Sequence, residues 1–145
     1  MDKEAIEKLI YSASESEVAS YLKACTDPED LYIYAFNYNW GGGFELPKLI
    51  INNPVCTIST AKLIFWRADG INYLRNKTSE EVFPEWRLFI SLLYNRIKER
   101  DFQTDNFQFN VPLTKVQEFK LRKAILPEDL LFLENSAGKN LDIEI

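Results

Sequence analysis

The side chains that could perform catalysis are few, and composition alone removes most of the usual catalytic pairs. The 145 residues include no histidine and two cysteines, Cys25 and Cys56. Without histidine there is no Ser-His or Cys-His pair, no imidazole general base and no imidazole metal ligand. Two cysteines that lie far apart in the chain do not complete a structural zinc site. We therefore expect no metal and no cofactor.

Carboxylates are the remaining side chains that could act in catalysis. Glu45 and Asp69 are expected at the ends of neighbouring helices, where two acids could exchange protons or bind a hard cation. Glu45 equally suits the first turn of a helix, and Asp69, which precedes Gly70, suits a turn. We favour these structural roles and predict no catalytic residue. A carboxylate-dependent hydrolase is retained as a third hypothesis.

The glycine run Gly41–Gly43 shares only its glycines with a phosphate-binding loop. Such loops follow a strand and precede Lys-Ser or Lys-Thr, whereas here a predicted helix comes before the glycines and Phe44-Glu45 follows them. A turn at the end of a helix is the better interpretation, because glycine accepts left-handed backbone. Trp40 and Tyr38 beside this turn suit either core packing or contact with a partner protein, since aromatic side chains often dominate interfaces.

The composition is that of an acidic globular protein. Hydrophobic residues make up 46% of the chain, aromatic residues 14%, and the net charge is −5. This length suits one domain, so we predict a single helical domain over residues 1–145. The negative charge argues against nucleic-acid binding, which needs a clustered basic face. No apolar stretch approaches the roughly 20 residues that span a bilayer and no signal peptide is evident, so we expect a cytoplasmic protein that binds no membrane.

Apolar periodicity and capping residues predict an all-α domain of about six to eight short helices in an irregular orthogonal arrangement. Ser14 and Asp27 are expected to cap helices. The helix at about 28–38 is apolar nearly all round, so we expect it to form the axis of the core, with helices 58–68 and 86–99 packed on it. The same periodicity predicts further inward-facing residues in the later helices: Leu88, Leu92, Val116, Phe119 and Ala124.

The segment from Asn37 to Gly70 carries an ordered series of residues. The series is Asn39-Trp40, Gly43-Phe44-Glu45, Pro47, Pro54, Cys56, Thr60-Ala61, Phe65-Trp66 and Ala68-Asp69-Gly70. In order and spacing it resembles a bacterial family known as domain of unknown function 4274. The chain departs from that pattern at Gly41 and Gly42, where a more polar pair is usual, and at Lys62, where an apolar residue is usual.

The resemblance implies no established activity. It implies a small acidic protein of the kind found beside secreted bacterial toxins, and hence an immunity-type inhibitor that binds a basic toxin. The mechanism would be steric and electrostatic blockade by an acidic surface around Asp27–Asp30 and Glu45. The candidate partner-binding residues are Tyr38, Trp40, Glu45 and Asp69. The alternative is a structural or regulatory module in a larger assembly, and the sequence leaves both the partner and the oligomeric state open.

Overall fold

The computed structural model describes residues 3–77, 83–105 and 107–141. In these ranges the regular structure is helical, with isolated β-bridges and no strand, which confirms the all-α prediction. The α-helices are α1 Lys3–Tyr11, α2 Glu15–Ala24, α3 Pro28–Asn37, α4 Glu45–Asn52, α5 Ile58–Arg67, α6 Gly70–Arg75, α7 Pro84–Lys98 and α8 Lys115–Ala124. Two 3₁₀ helices, Trp40–Gly42 and Pro127–Leu133, complete the set. None of the described helices is both long and apolar enough to cross a bilayer.

Short-range capping starts the helices where the sequence predicts. The Ser14 hydroxyl accepts a hydrogen bond from the Glu17 N–H at 3.2 Å, which satisfies a donor that has no partner inside α2. Asp27 accepts from the Glu29 N–H at 2.9 Å, and Pro28 occupies the first position of α3. These caps depend only on residues within one turn, and both predictions are confirmed.

The centre of the core is α5 rather than α3. Eight of the ten residues of α5 are buried, and the helix packs against α3 on one side and α7 on the other. The expected apolar helix, α3, does bury Leu31–Ala35. The predicted packing of α5 on α3 is confirmed. The prediction that α7 also packs on α3 is wrong, because α7 packs mainly against α5. The mean apolarity of a helix reports how much of it is buried, but not which neighbours surround it.

A distant carboxylate caps the central helix. Thr57, at the N-cap of α5, makes no side-chain capping bond. Asp105 accepts from the Ser59 N–H at 3.0 Å and from the Ser59 hydroxyl at 2.7 Å. The negative charge also suits the positive end of the helix dipole. The irregular segment after α7 is therefore anchored to the first turn of α5.

Two predicted buried faces are exposed instead. In α7, Leu88 is 72% exposed and Leu92 is 49% exposed, because the helix buries a neighbouring stripe that includes Phe89 and Leu93. In α8, Val116 and Phe119 are 63% and 60% exposed. Ala124 is exposed too, and Leu121 is the one buried residue of α8. Among the described helices, α8 packs mainly against the second 3₁₀ helix. The outer face of α8 is therefore left uncovered.

The corner between α5 and α6 requires its glycine. Asp69 has a φ of 65°, in the left-handed region, and Gly70 begins α6. A Cβ atom on Gly70 would lie 2.3 Å from Phe65 Cε1 and 2.6 Å from the Phe65 carbonyl oxygen. The Asp-Gly sequence is thus explained by backbone geometry and close packing.

The segment after α7 crosses the core in extended form. Phe107 pairs with Lys139, and Phe109 pairs with Ser136, through isolated bridges. The Phe107 ring meets Tyr32 of α3 edge-on, with 5.9 Å between ring centroids. A cleft remains between this segment and the α3–α5 pair, as described below.

Candidate functional site

The glycine turn after α3 is held by its own side chains. The Tyr38 hydroxyl donates to the Gly43 carbonyl at 2.7 Å, and Asn39 Oδ1 accepts from the Gly41 N–H at 3.0 Å. Gly43 has a φ of 87°, which a residue with a side chain rarely adopts. The Tyr38 and Trp40 rings meet edge-on at 5.1 Å. Contacts within the turn therefore fix the two aromatic side chains that the sequence nominated.

Trp40 is partly buried and carries an unmatched donor. Its indole Nε1 is inaccessible to solvent and has no hydrogen-bond partner among the described residues. A buried N–H without a partner destabilises the free protein. Trp40 as a whole is partly exposed, and this is compatible with both of its predicted roles.

Each of the two carboxylates nominated from the sequence bonds to a side chain three residues further along the chain. Glu45 starts α4, its side chain is 78% exposed, and its nearest cation is Lys48 at 3.4 Å. Asp69 is exposed and accepts from the Asn72 side-chain amide at 2.6 Å. Neither acid is held in a buried polar pocket. Among the described residues there is also no group of three or more Cys, Asp or Glu ligands that could hold a metal ion.

The acidic stretch at the start of α3 is largely occupied by internal contacts. Asp27 caps the helix, and Asp30 accepts from the Tyr21 hydroxyl at 3.0 Å. Glu29 forms an ion pair with Lys139 at 2.8 Å. These residues are half-buried, so the stretch presents less free negative charge than its sequence indicates.

A buried charge cluster that the sequence did not reveal joins the second 3₁₀ helix to α7. Asp129 is completely buried. It accepts hydrogen bonds from the Tyr94 hydroxyl at 2.5 Å, from Lys77 Nζ, and from Lys98 Nζ at 3.4 Å. Both amines also lie over the Tyr94 ring, 5.0 and 5.3 Å from its centroid. In the sequence Asp129 looks like an ordinary first-turn acid after Pro127, and no local pattern shows its distant partners.

In this cluster the Asp129 carboxylate is the acceptor, and Lys77, Tyr94 and Lys98 are the donors. Burial would raise the pKa of Asp129, but the hydrogen bonds from Lys77 and Tyr94 outweigh it and hold that pKa below its ordinary value. Burial and the bond to Asp129 raise the pKa of Tyr94. At neutral pH the carboxylate is charged and the phenol is protonated. Such a cluster links the 3₁₀ helix to α7 and to Lys77, and it offers no free base for catalysis.

Neither thiol is activated. Both cysteines are free, as predicted. Burial raises the pKa of the Cys56 thiol to about 12, and burial also raises the pKa of Cys25. Nucleophilic cysteines have depressed pKa values and accessible sulfur atoms. Cys56 therefore acts as a small apolar core residue.

Large apolar side chains that remain at the surface form the candidate binding surfaces. In α7, Leu88 and Leu92 lie one turn apart on the same exposed face. In α8, Val116 and Phe119 share an exposed face, and Lys123 Nζ lies 4.2 Å from the Phe119 ring centroid. The other exposed large apolar residues are Tyr11, Phe83 and Leu126. Helical periodicity marks the apolar residues of α7 and α8. It cannot distinguish a helix face that is buried in the core from one that is exposed to solvent.

These arrangements define a small, acidic all-α domain whose acids cap helices or form ion pairs, and whose apolar side chains are partly left outside the core. The model of a family described as Domain of unknown function (DUF4274) matches residues 26–98. The match covers half of the chain and the protein belongs to that family, as the motif block predicts. No curated protein and no solved structure gives a significant match. The matched range includes α3 to α7, whereas Asp129 and α8 lie beyond it.

Proposed function

We propose that this protein is a non-enzymatic protein-binding domain, and more specifically an immunity-type inhibitor that neutralises a basic bacterial toxin in the cytoplasm by steric and electrostatic blockade. The single observation that carries the proposal is the apolar surface of α7. Leu88 and Leu92 are exposed on a helix whose opposite face already packs against the core. Single exposed apolar residues are ordinary, but a pair one turn apart offers a continuous contact stripe.

The electrostatic part of the proposal rests on overall charge. The net charge of −5 favours encounter with a basic partner and raises the association rate at low salt. Glu45 and Asp69 are the nominated acids with exposed side chains, whereas the acids at the start of α3 are committed to internal contacts. Attraction of this kind steers association, and the apolar stripe supplies the affinity.

The test is binding to, and inhibition of, the protein encoded beside this chain. We expect a stoichiometric complex and loss of the neighbour's toxic activity. A Leu88→Asp/Leu92→Asp double variant should weaken the complex at least about tenfold, because the charges would be desolvated at the interface. Val116→Asp/Phe119→Asp in α8 is the matched control, since it makes the same kind of change on another helix. A neighbouring enzyme that stays fully active in excess of this chain would refute the proposal.

A structural or regulatory module in a larger assembly is the second candidate, and α8 is the observation that favours it. One residue of this helix is buried, and its apolar face has no described neighbour. Self-association through α8 would appear as a shift in gel-filtration volume between two protein concentrations. The α8 double variant would abolish that shift, whereas the α7 variant would leave it unchanged. The carboxylate-dependent hydrolase gains no support, because Glu45 and Asp69 each bond within their own turn.

A further inference from the structure

A cleft lies between the α3–α5 pair and the segment that follows α7. Its volume is about 290 Å³, near the lower end of the range of small-molecule sites. Tyr32 and Trp66 form part of its wall and are only 5% and 8% exposed. The Trp66 indole N–H already donates to the Phe132 carbonyl at 3.2 Å, so that residue offers the cleft its ring alone.

Polar groups converge on the same cleft. The Tyr32 hydroxyl makes no hydrogen bond within the described part of the chain, although its side chain is almost wholly buried. Gln108, Asn110 and Asn140 also line the cleft, and because all three residues are exposed their amides are hydrated in the free protein. The Tyr32 hydroxyl oxygen is not among the buried atoms that lack a partner, so it is open to the cleft and a ligand there can accept from it in place of water.

The charge of the cleft is positive. Arg67 is the one charged residue among the described residues that line it, in a chain whose net charge is −5. The Arg67 guanidinium lies 4.5 Å from the Phe36 ring centroid, and its Nη1 donates to the Phe36 carbonyl at 3.3 Å. These contacts hold the group in place and leave other N–H donors free for a ligand.

We propose that this cleft binds a small organic acid, with the carboxylate at Arg67 and an apolar body between the aromatic rings. Guanidinium groups pair with carboxylates through parallel N–H bonds. Burial raises the pKa of Tyr32, so its hydroxyl is a proton donor at neutral pH and can add a hydrogen bond to the acid. The amide side chains can donate to the remaining oxygen atoms. This site is independent of the proposed protein-binding surface on α7.

The probe is N-acetyl-L-phenylalanine, and its neutral primary amide is the matched ligand control. Binding to the full-length protein is measured by calorimetry, and the Trp66 indole N–H resonance reports whether the ligand occupies this cleft. We expect the acid to bind and the amide to bind at least about tenfold more weakly, because a charge-assisted hydrogen bond is lost. The Trp66 indole N–H resonance should shift when the acid is added and should not shift when the same concentration of the amide is added.

Substitutions locate the site. Arg67→Gln should weaken acid binding at least about tenfold, and Tyr32→Phe should weaken it about threefold while keeping the ring. Arg75→Gln is the matched control, because Arg75 is an exposed arginine that does not line the cleft. Thermal unfolding of each variant verifies that the fold is retained; should Tyr32→Phe fail to fold, Arg67→Gln still decides, since that side chain is exposed.

Two further probes separate the possible sources of the acid. Phenylacetate represents a free metabolite-sized acid, and the peptide Gly-Gly-Phe with a free carboxyl terminus represents the end of a polypeptide. Preferential binding of either one supports a carboxylate site and names its source. The proposal is overturned if none of the three acids binds at millimolar concentration, if the amide binds as well as the acid, or if Arg67→Gln leaves the affinity unchanged.

Discussion

Replacing Asp129 by alanine is the sharpest test of the buried charge cluster. The substitution leaves Lys77 and Lys98 facing a pocket without its counter-charge, and it leaves the Tyr94 hydroxyl without its acceptor. Breaking a buried pair from one side costs about 3–5 kcal/mol. The lysine side chains are 21% and 24% exposed, so water can partly solvate them, and we expect the lower end, about 3 kcal/mol. For a domain of this size that lowers the melting temperature by roughly 6–12 °C.

Urea unfolding at pH 7, with circular dichroism as the signal, measures the change in unfolding free energy. Glu128→Gln is the matched control: Glu128 is the adjacent acid, it is 62% exposed, and it lies 3.4 Å from the same Lys98 amine. Its loss should change stability by less than about 0.5 kcal/mol. An Asp129→Ala variant as stable as the control would refute the view that the two lysines and Tyr94 depend on Asp129 as their partner in the folded protein.

The pH dependence of the same variant has a defined sign. The pKa of Asp129 is depressed in the folded protein, so its contribution is complete above the unfolded-state value of about 4 and is lost as the pH falls through the folded value. The difference in stability between the wild type and Asp129→Ala should therefore be constant near neutrality and shrink in acid. A difference that grows as the pH falls below about 4 would contradict this assignment of charges.

Three other predictions follow from single contacts. Gly70→Ala should destabilise the protein by about 2–3 kcal/mol, because the new Cβ would overlap a phenyl ring and a carbonyl oxygen, whereas Gly41→Ala at an exposed turn should have a much smaller effect in the same urea assay. Asp105→Ala should cost about 1–2 kcal/mol by removing the cap of α5, and equal stability of this variant and the wild type would exclude that capping role. In the native protein iodoacetamide should modify Cys25 before Cys56, as mass spectrometry can show, because the Cys56 sulfur is buried and its pKa is about 12.

Sequence reasoning succeeded where the physics is local. The Ser14 and Asp27 caps, the apolar character of α3 and the Asp69-Gly70 corner each depend on residues within a turn or two of one another. Such features follow from backbone geometry and hydrogen bonding, so one sequence suffices to predict them. The limits of α5 and α7 were also predicted closely, for the same reason.

Sequence reasoning failed where the environment of a residue is determined by a distant segment of the chain. Periodicity marks Phe119 as apolar, but burial requires a neighbouring element, and α8 has none over that face. Asp105 and Asp129 are not marked by any local pattern, because each is bonded to residues far away in the chain. Their partners are assigned by tertiary packing, which a periodic pattern does not encode.

The last third of the chain, which follows α7, bonds back to the matched family segment. Within residues 26–98 three kinds of group need partners from elsewhere: the N-terminus of α5, the Trp66 indole and the Lys77–Lys98 amines. Asp105 supplies the first, the Phe132 carbonyl the second and Asp129 the third. The Ser59 and Trp66 N–H groups thereby gain acceptors, and the partly exposed lysine amines gain a counter-charge. The residues that follow α7 are thus bonded to the family segment at three separate places.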